Sequence, residues 1–267
     1  MSIEAEKFKK NNSNLEYNKM TLNELGKLPL HNGILNFKIT DTSFLILNIL
    51  NDDSSAVKYF WKGEHDLPSL DLWYKISKNQ GTYIDIGAHT GLYTLTSLKS
   101  NSENRVLSFE PFYMNMSRLI TNLRLNGKTK NVETYIAAVS DFSGKSYFSV
   151  ETDMSYLSKG GKIHDHGTEI NVHKIDDICL DKKYDNIKGI KIDTEGEDYK
   201  VLKGSEIIIK KYRPEIIIEV REENKNKINS FFRENNYKLF DVIDLKKEID
   251  LTNYTIKNIS NIYAKPN

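Results

Sequence analysis

The sequence predicts an α/β protein built on a doubly wound, mainly parallel sheet. Two observations predict it. Short β-branched and apolar runs recur at 82–86, 105–110, 132–139, 189–193 and 215–220, with helix-period stretches between them. Strands alternating with helices imply parallel pairing through crossovers. The first of these strands also ends in a tight turn, Asp85-Ile-Gly-Ala-His-Thr-Gly91, with Leu92, Leu95 and Leu98 at helical spacing directly behind it. In open sheets of this kind ligands bind at the carboxyl ends of the strands, where such a turn opens.

In chain order, residues 1 to about 30 are rich in Asn and Lys and predict a frayed or peripheral start, with a short helix through Leu22, Leu25 and Leu28. Alternation from Gly33 to Leu50 predicts a hairpin turning at 40–43. The aromatic-rich stretch Phe60, Trp61, Leu67, Leu70, Leu72 and Trp73 predicts a lead-in helix against the main sheet. Within it Glu64-His65-Asp66 follows Gly63 and reads either as a surface turn or as part of an acceptor site. The second strand ends at Glu110, where Pro111 stops it. Met116, Leu119, Ile120 and Leu123 share one helix face, closed by Asn126-Gly127. Val132 to Val139 is the third strand, followed by a turn at 140–144 and a short β excursion to Val150. Residues 151–168 read as a long irregular loop, often a functional feature inside a compact domain. A fourth strand, Gly189 to Asp193, turns at 194–197 into a helix ending near Gly204. A fifth, Glu215 to Val220, precedes a helix marked by Ile228, Phe231 and Phe232. Tyr237 to Ile243 and Asn261 to Ala264 are closing strands.

Composition narrows the function classes. Lys and Arg total 38 against 37 Asp and Glu, which gives no electrostatic case for nucleic acid or an anionic membrane. Cys179 is the single cysteine, so an internal disulfide and thiolate metal clusters are excluded. The amino-terminal residues contain no apolar signal-like run, and no apolar run approaches membrane-spanning length. The expectation is a cytoplasmic protein.

The glycine turn carries the chemistry. A dinucleotide fold wants Gly-x-Gly-x-x-Gly against a pyrophosphate. Here two glycines follow an acid, Asp85, which repels phosphate and suits a ligand with ammonium or sulfonium charge. S-adenosylmethionine carries both charges and no phosphate. A nicotinamide oxidoreductase and a non-catalytic module on the same fold are the competing readings.

Four ordered blocks resemble a known family: Asp85-Ile-Gly-Ala-His-Thr-Gly-Leu-Tyr-Thr94, Phe109-Glu-Pro111, Ala138-Val-Ser-Asp141 with Gly144, and Lys191-Ile-Asp-Thr-Glu-Gly196 followed by Val201-Leu-Lys-Gly204. Together they resemble the FkbM family of S-adenosylmethionine-dependent methyltransferases over about residues 80 to 220. His89 stands where that family often has Asn. The resemblance implies a Rossmann-like class I methyltransferase fold with a seven-stranded sheet and an antiparallel edge hairpin. It also implies O-methylation of a hydroxyl on a sugar, glycan or related natural product. On this reading residues 79–267 form the cofactor-binding domain, and residues 1–78 form a small α+β extension that contributes to the acceptor site.

The resemblance and the position of the turn together place Asp85, Gly87, Ala88, His89, Thr90 and Gly91 around the amino-acid end of the cofactor. Glu110 at the next strand end suits the two ribose hydroxyls, beside Pro111 and with Asn115 either supporting it or standing on a helix surface. Ser140 and Asp141 fall where an adenine would lie, and Asp141 either accepts its amino group or shapes a turn. Asp193 faces the cofactor loop across the sheet. Asp193, Glu195 and His164 are the candidate proton acceptors for an acceptor hydroxyl. Glu195 also suits a helix start. A divalent ion at Asp193 with Asp176 or Asp177 is conceivable chemistry that the sequence does not require; no metal is expected.

Overall fold

The structure, a computed structural model, describes residues 2–150, 161–256 and 259–267. The part of the expected irregular loop over 151–160 lies outside the described residues. The N-terminal part comprises α1 (Ser2–Asn11), α2 (Leu22–Leu25), the hairpin β1 (Gly33–Ile39) and β2 (Thr42–Asn48), α3 (Ser54–Lys62) and α4 (Leu67–Ile76). Then follow β3 (Thr82–Ile86), α5 (Leu92–Ser100), β4 (Arg105–Phe109), α6 (Tyr113–Leu125) and β5 (Val132–Tyr135). An excursion holds β6 (Ala137–Val139), β7 (Gly144–Val150), β8 (Gly161–His164) and β9 (Thr168–His173). The chain continues through α7 (Ile175–Asp181), β10 (Ile187–Ile192), α8 (Asp198–Lys203), α9 (Glu206–Tyr212), β11 (Glu215–Arg221) and α10 (Lys225–Glu234). It closes with β12 (Tyr237–Asp241), β13 (Asp244–Glu248) and β14 (Ile259–Pro266).

The main sheet has the order β13-β12-β14-β11-β10-β3-β4-β5. The five strands from β11 to β5 are parallel, and β14, β12 and β13 pair antiparallel. It is thus a mixed sheet of eight strands rather than the expected seven. The last strand, β14, lies inside the sheet between β11 and β12, so the edge is formed by β13. All five residues of β13 are exposed, which leaves no apolar alternation by which the sequence could reveal it. A second sheet, β6-β9-β7-β8, replaces part of the expected third strand and part of the expected irregular loop. The third strand breaks at Ile136, which is 54% exposed between the two sheets.

Both faces of the parallel sheet are covered, and the period of two sorts its side chains. Ile84, Ile86, Ile190, Ile192, Ile216 and Ile218 join one core with residues of α7 to α10. Tyr83, Val106 and Ile217 point the other way, into a core with residues of α4, α5 and α6. That second core also contains Phe37, Ile39, Phe44 and Ile46 of the hairpin. Arg118 of α6 ties the hairpin further, donating to the Leu47 carbonyl at 2.8 Å and to Asp52 at 2.6 Å. The single lead-in helix expected over 60–73 is two helices, broken where Gly63 takes a left-handed cap. Nor is the amino-terminal stretch peripheral. Ala5, Tyr17, Leu25, Val57 and Trp61 bury one another in a core of their own.

Because one core runs from the hairpin into the sheet, the two should unfold together. Phe44→Ala is expected to cost about 3–5 kcal/mol in a single calorimetric transition. A hairpin that melts separately, leaving the main transition unmoved, would contradict this.

Candidate functional site

A cavity of about 520 Å³ opens at the carboxyl ends of the parallel strands. Its floor is where the loops after β3 and β10 meet. Gly87 has φ +76°, and a Cβ at this position would overlap the Asp193 backbone carbonyl. Asp193 in turn donates its N–H to the Ile86 carbonyl at 3.0 Å. Gly87 and Ala88 both donate to the Phe109 carbonyl at 2.9 Å, which fastens the turn to β4. Gly91, with φ +94°, begins α5 and leaves no room for a side chain against Leu119. Three non-glycine residues on the cavity wall, Asp66, His89 and Glu195, also hold positive φ, an uncommon state that collects at functional sites. Asn tolerates that state better than most residues, which gives a physical reason for Asn where this chain has His89.

At the end of β4, Glu110 is 6% exposed and lines the cavity. Its Oε2 accepts the His89 N–H at 2.9 Å, and its Oε1 accepts the Phe112 N–H at 3.0 Å and the Asn115 amide at 3.3 Å. Burial raises its pKa, against the pull of these donors and of His89. Asn115 Oδ1 is buried with no hydrogen-bond partner among the described residues. A buried unpaired acceptor is costly unless a ligand supplies the donor. Pro111, Ala137, Ala138 and Val139 continue the wall, joined from the excursion by Phe148 and Ile163.

The opposite wall is acidic. Asp66, Asp193, Glu195, Glu197 and Glu219 all line it. A buried cation, Lys191, and a half-buried one, Arg221, make this arrangement tolerable. Lys191 Nζ lies 3.3 Å from Asp193 Oδ2 and 5.0 Å above the Tyr93 ring. Burial works against its charge, but Asp193, Asp66, Glu219 and Asp85 outweigh that and raise its pKa. Arg221 bridges Glu195 and Glu219. Burial and the neighbouring Asp193 raise both of these carboxyls, Glu219 to about 8. Asp198 shapes the loop that carries Glu195 and Glu197, accepting the Thr194 N–H at 2.9 Å and the Gly196 N–H at 3.2 Å.

The cavity therefore brings together Gly87, Ala88, His89, Thr90, Glu110, Pro111, Asn115, Asp193 and Glu195 from the sequence reading. Other expectations need correction. Asp85 is 1% exposed and is not on the wall. Its carboxylate accepts from Thr94 Oγ1 at 2.6 Å beneath the first turns of α5, so it supports the loop from behind. Ser140 is fully buried and Asp141 is exposed in the following turn, and neither reaches the wall. Apolar residues just before them occupy that position. Asp176 accepts the N–H groups of Ile207 and Ile208, both at 3.0 Å, and so caps α9 away from Asp193. His164 lies on β8, and its side chain falls outside the described residues.

Several wall residues had been passed over or read otherwise. His65 and Asp66, from the turn after Gly63, line the cavity. Tyr93, Lys58, Glu197, Glu219 and Asn261 join them. Lys191 in β10 and Glu219 in β11 did carry a signal. A lone charge inside an otherwise apolar strand must be paired when the strand is buried.

The family model described as the methyltransferase FkbM domain matches residues 85–239. No curated protein matches the chain significantly. Among solved structures, it is similar to a methyltransferase FkbM from Methylobacillus flagellatus KT at 16% identity and a TM-score of 0.49, covering 79% of this chain and 53% of that one. The chain thus spans about half the length of that relative. It is similar to an rRNA methylase from Streptococcus thermophilus at 13% identity and a TM-score of 0.44, covering 75% of this chain and 96% of that one. It is also similar to TYW2 of M. jannaschii, solved in complex with AdoMet, at 11% identity and a TM-score of 0.43, covering 87% of this chain and 85% of that one.

Burial, offset in part by Thr94 and Lys191, pushes the Asp85 carboxyl up to about 6. The folded state therefore holds this proton more tightly than the unfolded chain, whose Asp titrates near about 3.9. The contribution is present below that unfolded value and is lost as pH rises through about 6. Asp85→Asn should remove this fall, worth up to about 3 kcal/mol between pH 4 and 7, in urea titrations at the two pH values. Parallel pH profiles for the two proteins would contradict it.

Proposed function

This chain belongs to the FkbM methyltransferase family, whose model covers more than half of it, and we propose that it transfers a methyl group from S-adenosylmethionine to a hydroxyl of a sugar, glycan or related natural product. One observation carries the placement of the cofactor. At the end of β4 a cavity-facing carboxylate, Glu110, stands beside the buried Oδ1 of Asn115, which has no partner among the described residues. Adjacent acceptors of this kind match a vicinal diol, which a ribose supplies. The residues present thus fit the cofactor, with Glu110 and Asn115 on the ribose and the backbone of 87–90 along its chain. Pro111, Ala138, Val139 and Phe148 offer apolar surface to the base. When bound, the cofactor supplies a methyl group already activated on a sulfonium. The acidic wall suits that positive charge better than it suits a pyrophosphate.

The remaining work falls to positioning and proton removal. Asp193 Oδ2 is held by Lys191, which leaves Oδ1 without a protein partner among the described residues and able to orient an acceptor hydroxyl. Glu195 stands in the same loop, its basicity raised by burial and by Asp193. A carboxylate with a raised pKa accepts an alcohol proton more readily than an exposed one. We assign Asp193 to orientation and Glu195 to proton removal. Correct alignment of the reacting groups is itself worth about 7 kcal/mol or more in favourable systems.

Three outcomes follow. Glu110→Ala and Asn115→Ala should each weaken S-adenosylmethionine binding about tenfold or more in calorimetry, about 1.4 kcal/mol apiece. Unchanged affinity in both variants would remove the ribose assignment. Asp193→Asn should lower kcat by about a hundredfold while sparing cofactor affinity. The rate should climb with pH, because Glu195 must lose its proton before it can act. The climb should be centred above the usual Glu value of about 4.3 and should disappear in Glu195→Gln. A flat wild-type profile would exclude Glu195 from this role.

A further inference from the structure

The start of α3 forms a corner of the cavity that nothing above uses. Ser54, Ser55 and Lys58 all line the wall there. Ser54 is 8% exposed and Ser55 is 7% exposed, yet neither hydroxyl has a hydrogen-bond partner among the described residues. Lys58, half-buried beside them, forms no ion pair or hydrogen bond among the described residues. It is also the one lysine or arginine on the wall among those residues. Of the carboxylates that act on it at longer range, Asp66 and Asp193 have nearer partners, whereas Asp53 Oδ2 is buried without a hydrogen-bond partner among the described residues. Asp66 accepts from Tyr93 and Asn261, Asp193 from Lys191, and Asp53 Oδ1 from the Ser55 and Ala56 N–H groups. Lys62 adds to burial in making the isolated Lys58 charge unfavourable.

An ammonium that faces a cavity, next to two hydroxyls on buried residues and, like them, without a partner among the described residues, is arranged to receive an anion. The amides of this first helical turn are already taken by Asp53, so the donors are side chains. We propose that Ser54, Ser55 and Lys58 form a carboxylate-binding subsite of the cavity. The inference rests on the methyltransferase reading. Two sources could deliver the group: the amino-acid end of S-adenosylmethionine, or an acceptor bearing an acidic group. His65, next along the wall, is kept neutral, its pKa pushed down to about 3 by burial, Lys58, His89 and Lys62. It therefore offers a hydrogen bond rather than a second positive charge.

Calorimetry on the full chain separates the sources. S-adenosylhomocysteine is titrated against 5′-methylthioadenosine, which lacks the carboxylate. With S-adenosylhomocysteine saturating, glucuronate is then titrated against methyl glucoside. If the carboxylate comes from the cofactor, Lys58→Gln and the double variant Ser54→Ala, Ser55→Ala should weaken S-adenosylhomocysteine about tenfold and leave 5′-methylthioadenosine unchanged. If it comes from the acceptor, they should weaken glucuronate about tenfold and leave the other three ligands unchanged. Lys58→Arg should retain most of the affinity in either case, and thermal melting confirms that each variant is folded. Folded Lys58→Gln with wild-type affinity in every arm overturns the subsite and leaves the methyltransferase reading standing. Wild-type chain that binds neither nucleoside defeats that reading itself, and the subsite with it.

Discussion

The site depends on a backbone contact between two loops. Gly87, after β3, lies so close to the carbonyl of Asp193, after β10, that no side chain fits between them. The strands are parallel neighbours in register, Asp85 beside Lys191 and Ile86 beside Ile192, so their carboxyl ends open at one level. The hydrogen bond from Asp193 to the Ile86 carbonyl and those from Gly87 and Ala88 to Phe109 then fix three strand ends as one rigid floor. The polar groups carried by these three strand ends inherit their positions from that floor. A positive φ at Gly87 costs little, whereas any other residue would lose both the conformation and the contact.

A second constraint is charge. Carboxylates gathered around one cavity would repel one another in a poorly hydrated space. The fold answers with Lys191 and Arg221, placed on β10 and β11 behind the acidic wall. Each neutralises its neighbours without blocking the cavity, and together with burial they set which carboxyls keep a proton near neutral pH. The same physics separates Asp85 from its expected role. Its side chain is spent on Thr94, which stands 2.7 Å from Ser108, and this small network anchors α5 to β3 and β4.

Much of this was legible in the sequence because it was local. The parallel strands announced themselves as apolar runs, and the left-handed glycines announced the turn. Glu110 and Asp193 fell at strand ends, where ligands are met. What was not legible was long-range or unpatterned. Strand β13 has no buried residue to mark it. The break at Ile136 moves the chain from one sheet to another, and no Pro or Gly signals it. Ala138 and Val139 reach the wall while Ser140 and Asp141 do not, because polarity in the sequence does not say which side of a turn faces a cavity. The contribution of α3 and of His65 and Asp66 follows from packing of the amino-terminal part, which no short motif encodes. The lone charges Lys191 and Glu219 within apolar strands were visible and could have been read as buried pairs.

The central claim is that this floor and its acidic wall hold S-adenosylmethionine with its ribose at Glu110 and Asn115. A crystal structure of the chain with S-adenosylhomocysteine tests it most directly. The account predicts the ribose hydroxyls within hydrogen-bond distance of Glu110 and Asn115, and the sulfur on the Asp193 side of the cavity. A nucleoside bound elsewhere, or a cavity that stays empty at saturating ligand, would contradict it.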